Sequence, residues 1–266
     1  MPKINRLLMT GAAGTIGQQI RAGLTDFAAH VRLSDIADIG VAKPPEEFVA
    51  CDLTDPEAVR DMVRECDAIL HFGGISTENR ADLIHRVNID GTYHLYEAAR
   101  KEGARRILFA SSNHVIGFHH RETRLTASSA IRPDSNYGVS KAYGEALARM
   151  YWDKYGIETL ILRIGSCFPR PKDRRMMATW MSAADLLRLI GVMLECPRLG
   201  CPIVYGVSDN EECWWDNGET AYLGWKPQDS SAQFAHLFAD DPAPDPNDPA
   251  VVYQGGGFAR AGHYED

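Results

Sequence analysis

A glycine-rich turn set between a short apolar run and a helical pattern constrains this chain more than any other feature. Leu7-Leu8-Met9 leads into Thr10-Gly11-Ala12-Ala13-Gly14-Thr15-Ile16-Gly17, after which Ile16, Ile20 and Leu24 recur every fourth residue. That recurrence marks one face of a helix. Glycines let such a turn bend tightly and let a ligand approach the backbone closely. The helix N-terminus adds unpaired N–H groups and the positive end of its dipole. Gly11, Gly14, Thr15, Ile16 and Gly17 are therefore expected to cradle a pyrophosphate.

The rhythm that begins there persists through the first two-thirds of the chain. Short apolar runs predict strands over residues 6–10, 30–34, 47–51, 67–72, 106–111 and 158–164. Between them, Asp55-Pro56 reads as an N-cap with Pro at the first helical position, opening a helix through residue 64. Longer helices are predicted over 81–101 and 137–155. Right-handed β-α-β crossovers of this kind build a doubly wound parallel sheet. The expected fold class is thus α/β, a Rossmann-type sheet over residues 1–165, with 166–266 as a small substrate-binding extension packed on the same core. Within that extension, 167–181 holds two prolines and several charges and is expected to be a loop. Ser182 with Asp185 suggests a capping box opening a helix through 195. A short strand at 202–205 and a turn rich in Trp follow, and the Pro- and Asp-rich stretch 240–248 argues against regular structure.

Composition excludes several classes. A chain of 266 residues, 45% hydrophobic, buries enough surface to need no disulfide or metal staple. A formal net charge of -8 disfavours a nucleic-acid partner, and the densest basic cluster, 169–175, is too short to be a phosphate-binding patch. No apolar run approaches the ~20 residues that span a bilayer, and no secretory pattern opens the chain. The six cysteines show no Cys-x-x-Cys pair, as expected for reduced thiols in the cytoplasm.

The predicted strand ends carry the chemistry, because open α/β sheets bind ligands beyond the carboxyl ends of their strands. Asp35 stands where a carboxylate accepts hydrogen bonds from an adenosine ribose and repels a 2′-phosphate. It is followed by Ile36 rather than a basic residue, which favours NAD over NADP. Asp52 and Leu53 are placed at the adenine, although Asp52 can also merely cap the next loop. Phe72-Gly73-Gly74 offers bare backbone to the cofactor. Tyr137 and Lys141 lie one helical turn apart, hence on one face. A neighbouring ammonium favours phenolate, and a drop of about three pKa units asks for roughly 4 kcal/mol. Ser112, in Ser111-Ser112-Asn113-His114, can hold the oxygen that Tyr137 deprotonates, and Lys141 the nicotinamide ribose.

Thr-Gly-x-x-Gly-x-x-Gly with Tyr-x-x-x-Lys resembles the extended short-chain dehydrogenases, a group that includes the sugar-nucleotide epimerases. Two departures separate the chain from those epimerases. It is too short for their nucleotide-holding C-terminal domain, and residues 111–117 differ from their Ser-Ala-x-x-Tyr-Gly type. The chain is more similar to the uronate dehydrogenases over nearly its whole length. The segments that carry this are Phe72-Gly73-Gly74-Ile75-Ser76, Ala110-Ser111-Ser112-Asn113-His114, Tyr137-Gly138-Val139-Ser140-Lys141, Arg163-Ile164-Gly165-Ser166-Cys167 and Trp214-Trp215-Asp216-Asn217. The resemblance implies oxidation of D-glucuronate and D-galacturonate at C1 by NAD+, with no metal. It implies substrate contacts from Ser76, Ser112, Asn113, His114, Tyr137, Ser166 and Arg175, with Cys167 near the nicotinamide. Asn88 and Ser111 join the expected cofactor set. A uronate anion suits an Arg fork; composition alone leaves Arg174 and Arg175 open, and the resemblance selects Arg175. A homo-oligomer with a small-molecule substrate is expected. Two rivals make different demands: a sugar-nucleotide epimerase or dehydratase would release no net NADH, and a non-catalytic dinucleotide regulator has no need of Ser112, Tyr137 and Lys141 together.

Overall fold

The structure is a computed structural model and describes residues 4–264. Strands β1 (Ile4–Thr10), β2 (Ala28–Asp35), β3 (Glu46–Ala50), β4 (Ala68–His71), β5 (Arg106–Ser112), β6 (Leu125–Thr126), β7 (Glu158–Ile164), β8 (Ile203–Gly206) and β9 (Trp215–Asp216) form two sheets. The larger runs β3-β2-β1-β4-β5-β7-β8, with every pairing parallel, and the smaller joins β6 to β9. Parallel strands need helical crossovers and are covered on both faces, which is why β7 carries a buried run from Thr159 to Ile164 rather than an alternation. Strand order reverses between β1 and β4, the crevice where dinucleotides bind in such sheets.

Helices α1 (Thr15–Ile20), α2 (Pro56–Val63), α3 (Ala81–Ile84), α4 (Gly91–Glu102), α5 (Asn136–Tyr155), α6 (Arg174–Thr179) and α7 (Ala183–Glu195) flank the sheet. On one face Ile20, Leu24, Leu186, Leu189 and Met193 pack over Leu7, Met9 and Leu33. On the other, Val59, Met62, Leu95, Tyr96, Leu147 and Tyr151 cover Leu8, Ile69 and Ile107. A third cluster, with Val115, Ile116, Tyr205, Trp214 and Trp215, lies apart from these two. The chain beyond residue 165 thus supplies a helix and a strand to the main sheet and core.

Local chemistry explains most boundaries. Asp55 accepts hydrogen bonds from the N–H groups of Glu57 and Ala58, the cap its sequence predicts. The helix expected over 81–101 contains a π-helical turn at His85–Asp90 between α3 and α4. Such turns mark places where side chains are re-aimed, and here Asn88 within it grips the backbone of Ile75. The loop expected over 167–181 instead holds α6. Its prolines lie upstream of the helix, and the Asp173 side chain caps it by accepting from the N–H of Met176 at 2.8 Å. The capping box at Ser182 is half formed. Ser182 Oγ accepts from the N–H of Asp185 at 2.9 Å, while the Asp185 carboxylate turns to Ser208, Arg188 and the N–H groups of Gln228 and Asp229. Buried at the heart of the fold, Arg163 on β7 forks onto Glu145 of α5, with both bonds at 2.8 Å.

Candidate active site

The cofactor end is shaped by bare backbone. Gly11 has φ +75, and a Cβ there would lie 2.7 Å from the carbonyl carbon of Phe72. At Gly17 a Cβ would lie 2.5 Å from Gly11 O, so neither position admits a side chain. Gly14 begins α1 with no side-chain cap, leaving the helix N–H groups open to an anion. Beneath the turn, the Thr10 hydroxyl shares a hydrogen bond with His71 Nδ1 at 2.8 Å and accepts from the N–H of Gly73 at 3.0 Å. Burial pushes His71 down to about 3, so its ring is neutral.

Asp35 closes β2 beside this turn and accepts from the N–H groups of Ala13 at 2.9 Å and Ala37 at 3.1 Å. Ile36 next to it is 76% exposed and brings no cation. Asp52 accepts from the N–H of Thr54 at 2.9 Å, so one of its oxygens already caps the loop. These residues, with Leu53, Phe72, Gly73 and Gly74, line a cavity of about 1210 Å³ that continues to Tyr137, Arg175 and Phe258. Bare glycine backbone, an uncapped helix and a carboxylate at the β2 end fit an adenine dinucleotide with a free ribose.

Two expected cofactor residues are placed differently. Asn88 does not line the cavity. Its amide is spent on Ile75 N–H (2.8 Å), Ile75 O (2.9 Å) and Ser140 Oγ (3.1 Å), so it holds the wall from behind. Ser111 reaches the cavity wall, yet its hydroxyl donates to Glu145 at 2.6 Å. Successive β5 residues point to opposite faces, so Ser111 serves the buried ion pair and Ser112 the cavity.

Ser112 at the end of β5 meets Tyr137 and Lys141 at the start of α5. Ser135 Oγ accepts from the N–H of Gly138 at 2.9 Å, and the Glu78 carboxylate accepts from the N–H groups of Asn136 (3.1 Å) and Tyr137 (2.9 Å). Those caps fix the helix turn that carries Tyr137 and Lys141, both buried at the cavity with Ser112. Lys141 Nζ lies 5.7 Å from the centroid of the Tyr137 ring. In the protein alone the expected lowering of the phenol is reversed. Burial pushes Tyr137 up to about 12, against the hydrogen bond of Ser112, with Asp134 adding to the rise. Burial also pulls Lys141 down to about 8. Desolvation outweighs the attraction between the pair until further positive charge enters the site.

At the far end, His114 Nδ1 donates to Asp134 at 2.8 Å, which fixes its tautomer. The imidazole stacks on Phe258 with centroids 3.9 Å apart. Ser76 is an exposed lining residue, Ser166 Oγ pairs with Thr179 Oγ1 at 2.9 Å, and Cys167 is a buried thiol pushed up to about 12. Arg175 Nε and Nη2 donate to Gln254 O at 2.8 and 2.5 Å. The amide of Asn113, turned so that its oxygen accepts from Arg175 Nη2 at 2.6 Å, donates to Ile164 O at 3.1 Å. Arg175 makes no ion pair among the described residues, and burial lowers it to about 10. Arg174, by contrast, is exposed and donates to the carbonyls of Phe238 and Asp241. Glu78, Asp134, Gln254 and Phe258 are the site residues that sequence reasoning passed over.

A glycine cradle at the switch point joined to Ser112, Tyr137 and Lys141 defines a dinucleotide-dependent oxidoreductase site. The chain belongs to the NAD dependent epimerase/dehydratase family, whose model matches residues 7–198. Within that family its similarity runs to uronate dehydrogenases. It is 52% identical over 261 residues to the uronate dehydrogenase of Pseudomonas putida, covering 98% of this chain and 97% of that one. Among solved structures, the glucuronic acid dehydrogenase of Chromohalobacter salexigens superposes with a TM-score of 0.97 at 55% identity, covering 99% of both chains. A mutant uronate dehydrogenase from Agrobacterium tumefaciens, solved in complex with NAD, superposes with a TM-score of 0.95 at 48% identity, covering 98% of this chain and 99% of that one.

Asp35 provides a direct test of the cofactor end. Asp35→Ala removes the carboxylate that repels a 2′-phosphate, so the ratio of kcat/KM with NAD to that with NADP should fall by about tenfold or more. An unchanged ratio would mean that Asp35 serves only the Ala13 and Ala37 N–H groups.

Proposed function

We propose that the enzyme oxidises free hexuronates, D-glucuronate and D-galacturonate, at C1 to the aldarolactone, with NAD+ as acceptor. One observation carries the reading: Arg175 is a half-buried guanidinium at the cavity with no carboxylate partner among the described residues. The fully buried Arg163, by contrast, is held by Glu145. A desolvated cation without an anion is costly, and a cavity that retains one is suited to an anionic ligand. Arg175 would take the substrate carboxylate, with Asn113, His114, Ser76 and Ser166 around the hydroxyls. Ser112 would hold the anomeric oxygen while Tyr137 takes its proton, and Lys141 would support the phenolate and the nicotinamide ribose. Bound NAD+ supplies the hydride acceptor as the C1–H bond breaks and the lactone carbonyl forms. On this reading residues 1–165 serve the cofactor and 166–266, with Cys167 at their start, complete the substrate end.

The uronate dehydrogenases at about half identity favour this reading over a sugar-nucleotide epimerase or a non-catalytic regulator. Following NADH absorbance with a panel of hexuronates, neutral aldoses and nucleotide sugars tests it. Hexuronates should give rapid NADH release and nucleotide sugars none; conversion of a nucleotide sugar without net NADH would overturn the reading. No helix among the described residues is long and apolar enough to cross a membrane. The six free cysteines support a cytoplasmic setting. Exposed Val139 and Met150, which share one face of α5, support a homo-oligomer that uses this helix.

A further inference from the structure

Residues 254–258 reach the substrate end from far along the chain and are built into it. Gln254 is completely buried, which an amide tolerates only when its polar atoms are satisfied. Its Oε1 accepts from Trp215 Nε1 at 2.8 Å, and its Nε2 donates to the carbonyls of His120 (3.1 Å) and Thr123 (2.8 Å). Its N–H donates to His119 O at 2.9 Å. Anchored in this way, its carbonyl takes the Nε and Nη2 of Arg175. The Nε edge of the guanidinium is thereby occupied, and Nη1 is the nitrogen left for an incoming anion. Two residues on, Gly256 adopts φ 63 and ψ -130, a region open almost only to glycine. A Cβ there would lie 2.6 Å from Arg175 Cδ and 2.7 Å from its Nε, so the guanidinium lies against bare backbone. The segment then delivers Phe258, whose ring stacks on His114 and stands 6.1 Å from that of Tyr137.

We propose that residues 254–258 form the specificity-determining element for the acid. Gln254 and Gly256 set the orientation in which Arg175 meets a carboxylate, and Phe258 is the apolar wall for the sugar ring. The proposal rests on the hexuronate reading, because only an acidic substrate uses the guanidinium. It assigns Gln254 and Gly256 as positioning residues acting through Arg175, and Phe258 as a binding residue shared by any sugar.

The test uses the full chain and measures kcat/KM for glucuronate and glucose together with NADH affinity by fluorescence titration. Gly256→Ala should lower kcat/KM for glucuronate at least about tenfold, through KM, because a guanidinium shifted by a fraction of an ångström loses its carboxylate bonds. Glucose turnover should stay within about twofold and NADH affinity should not change. Phe258→Ala should cost both sugars about tenfold, and Phe258→Leu should recover most of it. If Gly256→Ala does not bind NADH, Trp215→Phe serves instead. It removes the indole N–H that anchors Gln254 together with part of the ring stacked on Tyr205, a packing loss that would weigh on both sugars alike; an acid-selective rise in KM supports the proposal whereas none overturns it. Equal losses on glucuronate and glucose in Gly256→Ala, or undiminished glucuronate turnover, would overturn the proposal while leaving the hexuronate reading in place. A wild-type enzyme with no preference for glucuronate over glucose would overturn both.

Discussion

Tyr137→Phe loses turnover by about 10²- to 10⁴-fold while binding NAD almost as well as the unaltered enzyme, because only the acceptor of the substrate proton is removed. Steady-state kcat beside an NADH fluorescence titration checks both halves. Retention of more than about a tenth of kcat would remove Tyr137 from the role of base. The pH profile gives the same residue a second test. The productive form has Tyr137 deprotonated and Lys141 charged, and in the protein alone these groups sit at about 12 and about 8. Below the Lys141 value, phenolate grows roughly tenfold per pH unit while the ammonium stays full, so kcat/KM climbs with a slope near one. Above it, each gain in phenolate is offset by a loss of ammonium, and the climb should level near pH 8. The two values belong to the pair rather than to either residue alone. A profile that is flat below neutrality would show that Tyr137 does not limit the reaction through its proton.

Arg175→Ala should cost uronates on the order of 10²- to 10³-fold in kcat/KM, since it leaves a carboxylate unpaired in a largely desolvated cavity. Neutral aldoses have no carboxylate to lose, so their slow turnover should fall little or rise. Arg175→Lys should recover only part, because one ammonium cannot bond the Gln254 carbonyl and a substrate anion with the same geometry. Arg174→Ala is the control and should be nearly silent, since that side chain faces solvent near Asp241. Equal losses on glucuronate and glucose in Arg175→Ala would reassign the residue to supporting α6 and the Gln254 segment.

The cofactor half was legible because its signals are local. Gly11 to Gly17, Asp35 at the end of its strand and Tyr137 one turn from Lys141 each state their geometry within a few residues, and periodicity fixes the rest. What stayed hidden acts across the chain. Glu78 caps the Tyr137 N–H from 59 positions away, Asp134 meets His114 across 20, and Gln254 holds Arg175 across 79. No local pattern announces such partners. The side-chain partners of Asn88 and Ser111 are hidden for a related reason: proximity to the site in sequence does not say to which side of a π-turn or a strand the side chain is aimed. The sign of the Tyr137 shift depends on how deeply the phenol is buried, which spacing along a helix does not disclose.

The sheet order also bears on how the chain acquires its shape during synthesis. Strand β7 pairs with β5 on one side and with β8 on the other, and β8 follows only after α6 and α7. At about 5–20 residues per second, the β7 edge, with its buried run Leu160 to Ile164, waits a few seconds for its second neighbour. During that interval it is a row of unpaired backbone groups flanked by apolar side chains, the kind of surface on which nascent chains join one another. The carboxylate of Glu158 at its start, and the Arg106 held beside it on β5, place charge at one end of that exposed ribbon. Charges on an edge blunt its pairing with foreign strands.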